Sequence, residues 1–205
     1  MWETLAVTQQ RDPLDLFAEL VAKVDVFFAR VYAKHSTDMQ CDKGCSDCCS
    51  DRLSITLLEA AALARTIGAM PEAQRQDLAS HASRKDVSAC AALANDGSCM
   101  VYEARPLICR SHGVAIRYGR ELDDGDKTDA ALRLPVVAAC FKNFTGDGGV
   151  DAVATEDVLD QTTVSATLGA LDAAFADECG VPRGTRIDLA QLVINPGDFF
   201  DIESF

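Results

Sequence analysis

The clearest pattern of apolar and polar positions lies near the start of the chain. Leu14, Phe17, Leu20, Val21, Val24, Phe28 and Val31 recur at three- and four-residue intervals, the period of an amphipathic helix. Asp12 and Pro13 precede the stripe, a capping carboxylate followed by a residue whose fixed φ suits the first helical position. The pattern predicts a helix over 13–35 that buries one face. A second helix is predicted from the capping box Thr56-Leu57-Leu58-Glu59, through an Ala-rich run, to Gly68. A third starts at Pro71 and passes through Gln74 and Leu78 to about Arg84. Farther on, 157–179 reads as a long helix closed by Gly180 and Pro182.

Between these helices the periodicity breaks down. Val114 to Tyr118 allows one short strand. Asn95-Asp96-Gly97 is a turn signal, and Thr145 to Gly149 is a Gly-rich loop without the Lys-Ser/Thr pair of a phosphate cradle. Glu121 to Lys127 is an acidic run lacking the EF-hand spacing, so it is read as a solvated loop. The tail, with Ile187, Leu189, Leu192, Val193, Phe199 and Phe200, is apolar enough to pack back on the body. The expected fold class is mainly α: a small helical domain with irregular cysteine-rich loops and at most a short β element. One domain over 1–205 is expected, with a metal-binding region at about 41–140 flanked by the helices 13–35 and 157–179.

Composition supports a folded chain and narrows its partners. At 205 residues and 48% hydrophobic, the protein can bury a sizeable core. Nineteen basic residues against 32 acidic ones give a formal charge of -13, which disfavours nucleic acid and anionic membrane surfaces, since both are bound through Lys and Arg. No apolar run approaches the roughly 18 residues of a spanning helix. Met1 to Asp12 lacks the basic-then-apolar order of a secretory signal, so a cytoplasmic location is expected.

That location governs how the nine cysteines are read. In a reducing compartment, clustered cysteines bind metal or do redox chemistry more often than they pair. Cys41, Cys45, Cys48 and Cys49 lie within nine residues; Cys90, Cys99, Cys109 and Cys140 are dispersed, and Cys179 ends the predicted last helix. A scattered cysteine is ordinarily a small core hydrophobe, and Cys179 is read that way. The dense group is not. Thiolate ligation needs several sulfurs about 2.3 Å from one ion. As a helix, 41–49 would carry all four sulfurs on one face; as a loop, Gly44 would let the chain wrap around an ion. The neighbours Cys48 and Cys49 point in divergent directions, which suits two nearby centres or one polynuclear cluster.

Around Cys109, the run Arg105-Pro106-Leu107-Ile108-Cys109-Arg110-Ser111-His112 places two cations and an imidazole beside a thiol. Positive neighbours stabilise thiolate and offset the charge of a thiolate-rich centre, so Arg105 and Arg110 are expected to be cofactor-binding, with His112 as a ninth ligand or a donor to one. The bland alternative for the arginines is a surface ion pair. His35 and His81 lie on predicted helices and are read as structural. No G-x-S-x-G, H-E-x-x-H, P-loop or dinucleotide fingerprint competes with the cysteines.

These motifs together resemble the YkgJ-type cysteine-cluster proteins, a zinc- or iron-chelating domain family. The resemblance rests on Cys41-Cys45-Cys48-Cys49, the Cys90-to-Cys99 segment with its Asp96-Gly97 turn, and Tyr102 through Arg110. It covers roughly 41–112, with Cys140 a later member. One departure is the first gap, three residues between Cys41 and Cys45 where many relatives have two. The resemblance implies eight metal-binding cysteines: Cys41, Cys45, Cys48, Cys49, Cys90, Cys99, Cys109 and Cys140. It supplies no settled activity. Members are sometimes labelled iron–sulfur oxidoreductases, and related modules occur in flagellin lysine methylases, so a role in a modification reaction is conceivable.

An iron–sulfur cluster and zinc ions both suit an all-thiolate set, the adjacent pair tilting the choice towards iron–sulfur. Three roles follow as expectations. The first is a redox or substrate-binding metalloprotein. The second is a zinc-stabilised structural or adaptor module with a protein partner. The third is a metal carrier or sensor.

Overall fold

The computed structural model describes residues 11–41, 44–84, 89–119 and 136–201. Helix α1 spans Pro13–Lys34. The Asp12 carboxylate caps it by accepting from Leu14 N at 2.8 Å, and the His35 backbone N–H closes the last turn on Val31 O at 2.9 Å. Leu14, Phe17, Val24 and Val31 are buried, while Leu20, Val21 and Phe28 pack at the margin of the same core.

Strand β1 (Ser54–Thr56) runs directly into α2 (Leu57–Gly68). The capping box forms as expected. Thr56 Oγ1 accepts from Glu59 N at 3.2 Å, and Glu59 Oε2 accepts from Thr56 N at 3.0 Å. A cap of this kind contributes about 1 kcal/mol. Here it also reaches farther, because the other oxygen of buried Glu59 accepts from Leu107 N at 3.0 Å. Asp172, buried on α5 (Gln161–Cys179), accepts from Leu58 N at 2.9 Å and ties the two helices together.

Helix α3 (Glu72–Arg84) buries Leu78 and Ala82 and packs on α6 (Leu189–Ile194). Helix α4 (Leu107–Ser111) is a single short turn packed on α1. Among the described residues five strands of three or four residues form two small sheets, more β structure than the one short element expected. In the first, β1 pairs antiparallel with β5 (Arg186–Asp188), burying Ile55 opposite Ile187. The second has β2 (Ala115–Tyr118) at its centre, antiparallel to β3 (Val136–Ala138) and parallel to β4 (Val158–Asp160). Strands this short show no useful alternation in sequence, but the arrangement remains mainly helical.

The last long helix begins later than its pattern predicts. Residues Thr155–Asp157 form a 3-10 turn and β4 follows, so α5 starts only at Gln161, capped by Asp160 accepting from Thr163 N at 3.2 Å. Asp157 is held off the helix by its own bonds. Its fully buried carboxylate accepts from Arg30 Nη1 at 2.9 Å, Lys34 Nζ at 2.5 Å and His35 Nε2 at 2.9 Å. The tail packs as expected, with Ile187, Leu189, Leu192 and Val193 buried and Phe199 and Phe200 at the core margin. The acidic run Glu121 to Lys127 lies outside the described residues.

Candidate metal centre

The cysteine segments are fastened to one another chiefly through backbone groups. Cys41 is not helical, and Gly44 stands at φ +94°, a conformation that Gly adopts without the Cβ penalty. Asp47–Cys49 then forms one 3-10 turn. Cys90 N donates to Cys49 O at 2.9 Å, laying the next segment alongside that turn. From there the chain folds back on itself. Leu93 bridges to Cys99, Met100 N donates to Ala92 O at 2.8 Å, and Asp96 Oδ1 accepts from Ser98 N at 3.0 Å. Gly97, at φ +83°, sits so close to the first loop that an added Cβ would lie 3.0 Å from Gly44 O. His81 of α3 bonds to Leu93 O and holds this hairpin from behind.

Cys109 rides on α4, whose first turn is anchored by the Glu59 carboxylate; Cys109 N donates to Pro106 O at 3.0 Å. Cys140 arrives on a strap that returns to Cys41. Phe144 N donates to Asp38 O at 2.7 Å, and Gln40 N to Asn143 Oδ1 at 2.8 Å. Asn143 Nδ2 donates to Gly113 O at 2.6 Å and to Cys41 Sγ at 3.2 Å. Lys142 Nζ stands 2.5 Å from Asp47 Oδ2, joining the same strap to the Asp47 turn. Phe144 takes a left-handed φ of 54°, uncommon for an aromatic residue, at the point where the strap leaves Asp38.

The fold therefore makes neighbours of cysteines drawn from four stretches of chain. Their thiols perturb one another. Burial pushes Cys109 up to about 12, with the negative charges of Cys90, Cys48 and Cys99 adding to the rise and Arg105 opposing it. Cys99 is raised by burial first and by Cys90 and Cys48, against lowering by the Val101 backbone N–H and Arg105. Cys41 is raised by burial and by Cys140, Cys45 and Cys48, against the lowering hydrogen bond from Asn143. Cys48 is held down at about 6 because the Cys49 thiol donates to it, with His112 contributing; Cys49 is raised correspondingly. No disulfide joins cysteines among the described residues. Nor do three Cys, His or carboxylate groups among them already stand in metal-ligating positions. The thiols are neighbours rather than a preformed coordination shell.

The three supporting residues part company. Arg105 stacks its guanidinium 3.7 Å above the Tyr102 ring, and its buried Nε has no hydrogen-bond partner. A buried N–H without an acceptor costs about 1–3 kcal/mol, so this cation beside Cys99 and Cys109 fits a site meant to hold negative charge. Arg110 is otherwise engaged: Nη1 donates to Asp25 Oδ2 at 2.6 Å, Nε to Arg105 O at 2.8 Å, and Nη2 to Glu103 O. It braces the loop against α1. His112 is exposed, close enough to Cys48 for its charge to be felt there. Cys179 corrects its sequence reading as a core hydrophobe: it is exposed at the end of α5, with Glu178 the charged neighbour acting on it.

Asn143, Asp25 and Gly113 escaped the sequence reading. Gly113 has φ +109°, and an added Cβ would meet Cys41 Sγ at 2.6 Å. Only Asn143, a polar residue in an apolar stretch three positions after Cys140, left a trace in sequence. A surface cavity of about 520 Å³ between α3 and the C-terminal segment, lined by Arg75, Gln76 and Asn195 among others, shares no lining residue with the cysteines.

The thiol-rich segment is cross-tied in this way at both ends of its cysteine run. Residues 40–130 are similar to the family model "CxxCxxCC: Putative zinc- or iron-chelating domain", a cysteine-cluster family. The match supports metal binding. No curated protein and no solved structure matches the chain. No helix among the described residues is long and apolar enough to cross a membrane.

Proposed function

We propose that this protein is a single-domain, cytoplasmic thiolate metalloprotein carrying an iron–sulfur or other polynuclear centre. The observation that carries the reading is the buried, unpartnered Arg105 Nε beside Cys99 and Cys109. A cation in that position offsets the charge gathered when several thiols deprotonate to bind metal. Cys41, Cys45, Cys48, Cys49, Cys90, Cys99, Cys109 and Cys140 would hold the metal, with His112 at its exposed edge. An iron–sulfur cluster bound there supplies one-electron transfer, whereas zinc supplies a redox-inert cross-link. The chain's own residues lower the cost of assembling thiolates: the Cys49 thiol donates to Cys48, and Asn143 donates to Cys41. Helix α1 packs on both α4 and α5, which supports one unit in place of separate modules.

Protein prepared anaerobically and analysed for iron, acid-labile sulfide and zinc tests the reading. Visible absorption with iron and sulfide in proportion is the expected result. Colourless protein with stoichiometric zinc and no redox transition supports the structural or adaptor role instead. Protein that takes up neither metal overturns both.

A further inference from the structure

Cys41 Sγ is set into a socket made by residues far away in the chain. On one side lies Gly113, whose missing side chain leaves the room: an added Cβ would stand 2.6 Å from the sulfur. On the other lies Asn143, only 4% exposed, whose Nδ2 reaches the sulfur at 3.2 Å. The same amide accepts from Gln40 N on Oδ1 at 2.8 Å and gives its other proton to Gly113 O at 2.6 Å. Gln40 N can only donate and Gly113 O can only accept, so the amide stands one way round. A proton therefore faces Cys41 Sγ. The socket is shaped for sulfur as an acceptor, a part that a thiolate plays strongly and a thiol weakly. A thiolate bound to metal still has a lone pair for that bond.

We infer that Asn143 is a positioning residue of the metal centre: it fixes Cys41 Sγ as a ligand set in place before metal arrives, and through that sulfur it retains the metal. This rests on the metal-binding reading above and adds which group outside the ligands governs retention. Cys41 is then the one anchored sulfur among thiols that are otherwise not arranged for a metal. The amide also gathers three stretches around it. Gln40 precedes Cys41, Gly113 follows His112, and Asn143 N donates to Cys140 O at 2.8 Å. A buried amide of this kind is not replaced by water when it is removed, so the sulfur loses its donor outright.

The test loads the full chain anaerobically with cobalt(II) and, in parallel, with iron and sulfide. Metal release to a chelator is timed for wild type, Asn143→Ala, Cys41→Ser and the double variant, with circular dichroism as the control for folding. Asn143→Ala should release metal roughly 10-fold faster than wild type. In the Cys41→Ser chain the same replacement should change release by less than about 2-fold, because the amide then has no ligand sulfur to act through. The sulfur-to-cobalt charge-transfer band should move to longer wavelength in Asn143→Ala, since an N–H donor lowers the energy of the sulfur lone pairs. Asn143→Leu, which fills the same space, replaces an Ala variant that does not fold. Equal acceleration with and without Cys41, unchanged release from the folded Asn143 variant, or wild-type retention by Cys41→Ser overturns the inference. If Cys41→Ser binds no metal, the band decides, and an unmoved band overturns it. Wild-type protein that takes up neither cobalt nor iron defeats the underlying metal-binding reading instead.

Discussion

Arg110 on α4 reaches Asp25 on α1, Nη1 to Oδ2 at 2.6 Å, with its guanidinium almost wholly buried and its remaining donors spent on the carbonyls of Arg105 and Glu103. The contact fastens the turn that carries Cys109 to the longest helix of the fold. Replacing Arg110 by Met should destabilise the protein by roughly 1.5–3 kcal/mol, the scale of charge-assisted hydrogen bonds. Arg110→Lys should not restore it, because an ammonium cannot reproduce the three-way fork. Urea titration of the three proteins checks this, and a Lys variant as stable as wild type would refute the bracing role.

Arg105 should behave differently. Arg105→Gln leaves the fold standing but removes the cation beside Cys99 and Cys109. Metal should then escape to a chelator roughly 10-fold faster, the lower end of what outer-shell partners contribute to metal sites. Unchanged release from a folded variant would show that Arg105 has no bearing on the metal.

At Gly113 the backbone lies at φ +109° and Cys41 Sγ occupies the space a side chain would need. Gly113→Ala should cost about 1–3 kcal/mol from strain and overpacking together. Cys41→Ala made in the same chain should return part of that loss by relieving the clash, leaving the strain of φ. A double-mutant cycle measures the coupling; strict additivity would mean that the two residues do not press on each other.

Asp157 sets an acid limit on stability. Hydrogen bonds from Lys34 and His35 hold its carboxyl down at about 2, below the roughly 3.9 of an unfolded Asp. A depressed folded value means that the stabilisation is fully present above the unfolded value and fades as pH falls towards 2. Asp157→Asn should therefore be less stable than wild type at neutral pH, with the gap narrowing below about pH 4. Thermal melts from pH 7 to acid, on protein in the same metal state, read the difference directly.

The parts of the fold legible in sequence are those governed by neighbours in the chain. Asp12-Pro13 and an apolar stripe mark α1, and Thr56-x-x-Glu59 marks α2, because caps and stripes are made within a few residues. Glu59 also shows where that legibility ends. One of its oxygens closes the predicted capping box, while the other holds Leu107 across the fold. Nothing local announces the second bond. Helix or loop around the first cysteines is illegible for the same reason; Gly44 takes a positive φ and only Asp47–Cys49 forms a 3-10 turn. The start of α5 was misplaced because Asp157, a plausible first-turn acid, is claimed by Arg30, Lys34 and His35 from α1 and its cap.

The cysteines show the same boundary. Their density in sequence marks them as a group, and the fold does make them neighbours. Which stand together depends on bonds such as Asp38–Phe144 and Gln40–Asn143, which join residues about a hundred positions apart. The two arginines, alike in sequence beside Cys109, are separated by what the fold offers them: Asp25 and two carbonyls for Arg110, the Tyr102 ring for Arg105.

The strap from Cys140 to Phe144 has a consequence for how the protein is made. Cys140 is the last of the eight cysteines to leave the ribosome, well after Cys109 has emerged. The nascent chain therefore presents the other seven cysteines of the group before the strap that returns to Cys41 exists. A metal-delivery step acting during translation would meet those seven sulfurs first. Laying Asn143 against Cys41 must wait for residues 140–144, with β4, α5, β5 and α6 still to be made.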